Sequence, residues 1–223
     1  MNDLNTKLRL RFEKTGRAVY ISHLDLMQTM QRAFSRAGYS LKYSEGYNPH
    51  PQIAIALPLS VGAASLCELM DFRLAEAAEL AEMPEKLTAA LPEGVTVTAV
   101  WEAGRKCAQI KWLRIEGLFE YDERDAAEMA AALTAFFARE SVVIEKKTKR
   151  GVGQTDIRPA IREIAFAPSA EGVRVEALIS AQEPTLNPEL LAEALRQLAP
   201  ALAPDFAAFT RIETFDESME VFR

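Results

Sequence analysis

Residues 7–12, Lys-Leu-Arg-Leu-Arg-Phe, alternate strictly between polar and apolar. That period of two predicts a strand with Leu8, Leu10 and Phe12 on one face. Leu24, Met27, Met30, Phe34 and Ala37 then recur at helical spacing, with Ser22 or Asp25 as the cap and Gly38 as the stop. Residues 40–43 read as a short strand, 45–51 as a loop of turn-forming residues, and 53–59 and 66–74 as strands. Pro84 opens a second helix carrying Leu87 and Leu91, and residues 95–101 close the half as a strand.

The same order returns further along. Residues 112–119 read as a strand, and Asp125 opens a helix with Met129, Leu133, Phe136 and Phe137 on one side. Residues 142–146 read as a strand, 146–153 as a basic loop, and 161–166 and 173–179 as strands. Asn187-Pro188-Glu189 opens a helix, and 206–212 is the last strand. Met83-Pro84-Glu85-Lys86-Leu87 stands 104 residues before Asn187-Pro188-Glu189-Leu190-Leu191. Each half therefore runs β-α-β-β-α-β, the ferredoxin-like order. The expected fold is α+β, with two tandem ferredoxin-like halves at residues 1–104 and 111–217. A single α/β domain without true repeats is the competing architecture.

Composition narrows the class. Of 223 residues, 49% are hydrophobic and 26% charged, as in a globular protein with a core. No stretch approaches the ~18 apolar residues that span a bilayer, so no membrane partner is expected. The start, MNDLNTKLRL, lacks the apolar run of a secretory signal. Two cysteines, Cys67 and Cys107, fit reduced thiols in a cytoplasmic protein. The net charge of −6 hides segregation: residues 1–67 carry +4, 68–104 carry −6, and 105–115 hold four basic residues and no acidic one. Residues 142–162 hold six basic and two acidic residues. The layout, more than the total, sets the local field.

Several motifs belong together. They are Ser22-His23-Leu24-Asp25, Ala37-Gly38-Tyr39, Ser44-Glu45-Gly46-Tyr47-Asn48-Pro49-His50-Pro51, and the run into Ala56-Leu57-Pro58-Leu59 and Val61-Gly62. Lys146-Lys147-Thr148-Lys149 and Asp156-Ile157-Arg158-Pro159 follow in the second half. With these, nearly the whole chain resembles the radical-SAM-linked family of uncharacterised bacterial proteins, where SAM is S-adenosylmethionine. Members of that family stand alone or form the C-terminal part of larger radical SAM proteins. The resemblance implies a radical SAM protein as partner. Standalone members often accompany genes for a ribonuclease and a ribosomal protein, which implies RNA or a ribonucleoprotein as a target. The chain is not expected to be a radical SAM enzyme itself. Such a site needs three closely spaced cysteine thiolates, and this chain has two, forty residues apart. No cofactor is expected.

Two candidate sites emerge. Lys7, Arg9 and Arg11 share the polar parity of the first strand and would track phosphates across an open sheet face. Lys146, Lys147, Lys149 and Arg150, beside Gly151 and Gly153, would add a mobile basic loop, extended by Arg158 and Arg162. Solvated charge is the alternative for both. That parity of strand one carries no aromatic residue, which argues for backbone or shape recognition over base stacking on a sheet. Tyr43 and Tyr47 flank the next loop and are placed to stack or to pack. This second site is the loop Glu45, Gly46, Tyr47, Asn48, Pro49, His50 and Pro51, in which two prolines stiffen the backbone around His50. His23 and His50 are the only histidines. If they meet, they would serve as general acid and base; otherwise His23 caps a helix and His50 braces a loop. No metal-ligand spacing is present, and no metal is expected.

Three functions remain open. The first is an accessory binding protein of a radical SAM system that recognises a structured RNA or ribonucleoprotein. The second is a metal-independent RNA-processing endonuclease, similar in architecture to those of CRISPR systems. The third is a protein-only adaptor docking on the radical SAM enzyme through residues 53–61.

Overall fold

The computed structural model describes residues 6–148 and 151–223. It is a mixed helix-and-strand protein, with four α-helices among the described residues. Every strand pair within its two compact units is antiparallel. The described residues up to Gln109 belong to the first unit and Ile110–Phe222 make the second.

In the first unit the elements are β1 (Leu8–Lys14), α1 (His23–Arg36), β2 (Ile53–Ile55), β3 (Ala64–Phe72), α2 (Met83–Ala89) and β4 (Val95–Glu102). The sheet order is β4-β1-β3-β2. Leu8, Leu10 and Phe12 pack with Leu26, Met30 and Phe34 of α1, Met70 and Phe72 of β3, and Leu87 of α2. Each such buried side chain contributes about 1.5–3 kcal/mol. The Phe34 and Phe72 rings lie 4.9 Å apart. Ser22 caps α1: its Oγ accepts from the Asp25 backbone N–H and donates to Asp25 Oδ2 at 2.7 Å.

The second unit contains β5 (Trp112–Glu120), α3 (Ala126–Phe137), β6 (Val143–Thr148), β7 (Gly151–Asp156), β8 (Ile161–Ser169), β9 (Gly172–Ser180), α4 (Glu189–Leu198) and β10 (Phe206–Phe215). Four strands run in the order β10-β5-β9-β8, the counterpart of the order in the first unit. Leu113, Ile115 and Phe119 are buried with Leu133, Phe136 and Phe137 of α3 and Leu191 and Leu195 of α4.

The strands differ from expectation in three places. Residues 40–43 form two isolated bridges, Leu41 to Leu74 and Tyr43 to Pro51, instead of a strand. The strand expected over 53–59 ends at Ile55, where the chain bends at residues 56–57 ahead of Pro58. The expected basic loop at 146–153 is largely a β-hairpin, with Lys146 opposite Gly153 and Thr148 opposite Gly151. Its base is closed by Asp156, which accepts from the Val142 and Arg158 backbone N–H groups and from the Ser141 hydroxyl. Those bonds, Val142 first, hold the Asp156 carboxyl below the usual carboxylate range. From α4, the Gln197 amide clasps β6, donating to the Glu145 carbonyl at 3.0 Å and accepting from its N–H at 2.8 Å. Backbone pairing and this clasp stabilise a hairpin that its polar composition conceals.

Candidate functional site

The expected open row of cations on β1 does not form. Arg9 is fully buried. Its Nε donates to Asp71 Oδ1 at 2.6 Å and its Nη2 to Asp71 Oδ2 at 3.2 Å. The same Nη2 reaches the Arg105 carbonyl at 2.8 Å and Cys107 Sγ at 3.1 Å. Residues 103–107 therefore cross this side chain, starting from the Ala103 N–H bonded to the Lys7 carbonyl. Arg11 spends its Nε and Nη2 on the Leu66 carbonyl. Lys7 is half exposed and sits 3.4 Å from Asp71. Lys14, which sequence reading passed over, is buried and donates to the Val19 and Ile21 carbonyls at 3.0 and 2.8 Å. Burial pushes its ammonium below the usual lysine range, against the pull of Glu68. These cations brace the first unit.

In the second unit Arg158 is likewise engaged, donating to the Ile161 carbonyl at 2.7 Å. Lys146 is half-buried on β6. Lys149 and Arg150 lie outside the described residues, as does the side chain of Lys147.

The loop expected to recognise a partner is held out on a stem. Lys42 N–H donates to the Arg73 carbonyl, Gln52 N–H to the Lys42 carbonyl and Arg73 N–H to the Gln52 carbonyl. Above them, Ser44 and His50 exchange two bonds: Ser44 N–H to the His50 carbonyl at 2.8 Å, and His50 N–H to Ser44 Oγ at 3.0 Å. Gln52 Nε2 adds a bond to the Tyr43 carbonyl. Beyond this stem Glu45, Gly46, Tyr47, Asn48, Pro49 and His50 are all exposed, with Tyr47 wholly so. Gly46, at φ +118°, takes a conformation that other residues rarely adopt. Pro51 is half-buried at the base, bridged to Tyr43.

The two histidines do not share an end of the unit. His23 is the first residue of α1, beside the end of β1, where Lys14 reaches Val19 and Ile21. The stem follows the other end of α1 and lies past Ile53, which pairs with Phe72 opposite Leu8. Between these ends runs α1, whose 14 residues make it about 21 Å long at ~1.5 Å per residue. Among the described residues, no three His, Cys, Asp or Glu side chains are grouped to hold a metal ion. No helix among them is long and apolar enough to cross a membrane.

Alongside the stem lies a hollow of about 540 Å³, lined by Gln31, Arg32, Ser35, Tyr39, Ser40 and Tyr43 among others. Gln31, Arg32 and Ser35 come from the polar side of α1, the others from the returning chain. Sequence reading singled out Tyr43 but missed Arg32. The signal was a polar helix face next to a tyrosine-bearing return, and only the fold joins the two.

The molecule is thus a mixed helix-and-strand protein that presents a stem-held loop. The chain belongs to a bacterial family described as "Uncharacterized protein conserved in bacteria (DUF2344)", whose profile matches residues 7–188. No functionally curated protein matches it significantly. Among solved structures, it is similar to an unknown protein from Galdieria sulphuraria at 12% identity and a TM-score of 0.27, covering 92% of this chain and 98% of that one. It is also similar to the acetolactate synthase small subunit from Thermotoga maritima at 13% identity and a TM-score of 0.26, covering 96% of this chain and 98% of that one. Likenesses at these scores carry neither a fold nor an activity across.

Proposed function

We propose that this chain is a binding protein that recognises a structured RNA or ribonucleoprotein as an accessory component of a radical SAM system. Each unit is read as a ferredoxin-like module, a reading supported by the strand orders β4-β1-β3-β2 and β10-β5-β9-β8. The radical SAM partner rests on the resemblance of the loop motifs alone. The observation that carries the binding reading is the run of six exposed residues, Glu45 to His50, on its hydrogen-bonded stem. A rigid base with an open, partly aromatic tip suits recognition, because little ordering is needed on binding. The β6–β7 hairpin, with Lys146, is a further phosphate contact in this reading.

The paired-histidine endonuclease has less support, since His23 and His50 lie at opposite ends of α1. A protein-only adaptor is favoured by one separate feature. Tyr20, Leu24 and Val61 are 73%, 73% and 59% exposed. The loop bearing Val61 is tied to the segment bearing Tyr20 by the Gly62 N–H bond to the Val19 carbonyl.

The test is purification of the tagged chain from native cytosol, split into nuclease-treated and untreated halves, with RNA and protein both quantified. RNA enriched in the untreated half, and lost with its associated proteins after nuclease, supports RNA recognition. A radical SAM protein retained in both halves without enriched RNA supports the adaptor and overturns RNA recognition.

A further inference from the structure

The hollow between α1 and the stem has a one-sided chemistry. Its lining offers an arginine, two tyrosines, two serine hydroxyls and a glutamine amide, and no carboxylate. This stands out in a chain of net charge −6. Across Tyr39 the polarity reverses: a smaller hollow of about 150 Å³ is lined by Glu76, Glu79 and Glu82, with Lys86. Tyr39 thus divides an anion-tolerant hollow from an anion-repelling one. Burial raises the Tyr39 phenol above its ordinary value, which keeps it a neutral hydrogen-bonding group.

Arg32 differs from the cations already described. Arg9, Arg11 and Arg158 are committed to carbonyls or a carboxylate. Arg32 is exposed, and no ion pair or side-chain hydrogen bond among the described residues engages it. Tyr43 is 54% exposed, while its backbone is pinned by the Gln52 bond and the bridge to Pro51. An exposed aromatic ring on a pinned backbone and an uncommitted guanidinium therefore border one polar hollow. Its size suits a ligand of nucleotide dimensions, within the ~300–1,000 Å³ of typical small-ligand sites.

We infer that this hollow holds a single unpaired ribonucleotide of the bound RNA. The base stacks on Tyr43, Arg32 meets its phosphate, and Gln31, Ser35 and Ser40 supply hydrogen bonds to the base or sugar. Single-stranded and bulged nucleotides are what proteins read in RNA, through aromatic stacking and exposed base edges. The inference rests on the RNA-binding reading and names the feature that its binding loop would deliver. Tyr47, at the exposed tip, then contacts the flanking strand.

The test uses the full chain and two fluorescein-labelled hairpin RNAs, one fully paired and one with a single-nucleotide bulge, followed by anisotropy. Wild type is expected to prefer the bulged RNA. Tyr43→Ala should weaken bulged-RNA binding by about 5- to 150-fold, the usual effect of removing one stacked base, and leave paired-RNA binding unchanged. Tyr43→Phe should restore the preference. Arg32→Gln should make the log–log salt slope shallower by about 0.7. Thermal melts identical to wild type show that all three variants are folded. Bulged-RNA binding that persists unchanged in Tyr43→Ala and Arg32→Gln overturns the hollow and leaves RNA recognition standing. No binding of wild type to either RNA, at any salt, overturns both.

Discussion

Arg9 on β1 and Asp71 on β3 stand directly opposite each other in the strand register and close a two-pronged ion pair, with Nε–Oδ1 at 2.6 Å and Nη2–Oδ2 at 3.2 Å. Arg9 is wholly buried, and Asp71 keeps 13% of its side chain exposed. Desolvating a guanidinium is costly, and the fork geometry with the Arg105 carbonyl offsets that cost. Asp71→Ala leaves the cation buried without its counter-charge and should cost about 3–5 kcal/mol in urea unfolding. The double replacement Arg9→Met with Asp71→Leu should recover most of that loss. A single-variant loss near zero would show that the pair is not structural.

Cys107 touches the same pair, 3.1 Å from Arg9 Nη2 and 3.5 Å from Asp71 Oδ2. Burial first, then the Asp71 carboxylate, pushes its thiol above the ordinary value, with Arg9 pulling the other way. The folded thiol therefore ionises at higher pH than the unfolded one. Its contribution to stability is complete below the unfolded thiol's range, near ~8.5, and is lost as pH rises towards the folded value. The stability of wild type relative to Cys107→Ser should thus fall between pH 7 and pH 10. Urea unfolding of both proteins at the two pH values reads this directly. A constant difference would contradict it.

Gly172 begins β9 at φ +136°, and a Cβ there would sit 2.3 Å from the Phe119 carbonyl oxygen. Strain and collision act together, so Gly172→Ala should destabilise by more than about 1 kcal/mol. Gly153, in the β6–β7 hairpin, has nothing within 4 Å of the same position. Gly153→Ala should stay within about 0.5 kcal/mol of wild type. Thermal melts of the pair check both.

Glu116 and Glu176 are both exposed and lie directly opposite each other across β5 and β9. Like charges in this relationship repel. Glu116→Thr should raise stability by a few tenths of a kcal/mol, and the gain should shrink in high salt as screening removes the repulsion. A loss of stability, or a gain indifferent to salt, would show that Glu116 has a favourable partner.

Much of the framework was legible in local pattern. Leu8, Leu10 and Phe12 announce β1, and Ser22 with the Met30–Phe34 spacing announces α1, but Leu24, expected on the same stripe, is 73% exposed and Leu26 is buried in its place. Parity placed Arg9 off the helix-packed face correctly. It carries no information about residues 103–107, which cross that side chain. Residues 146–153 look like a loop in sequence because backbone pairing and the Gln197 clasp, not apolar alternation, hold the β6–β7 hairpin. The exposed tip around Tyr47 was legible from Gly46, Pro49 and Pro51. The hollow was not, because Arg32 and Tyr43 meet only once the chain after Gly38 returns beside α1.

RNA binding at the stem and hollow of the first unit remains the proposal on which the rest depends. Ultraviolet crosslinking of the tagged chain in native cells, with crosslinked peptides located by mass spectrometry, tests it most directly. RNA-adducted peptides spanning residues 39–52 are expected, with adducts on Tyr43 or Tyr47. Abundant RNA crosslinked only to other segments, or no crosslinked RNA at all, would contradict it.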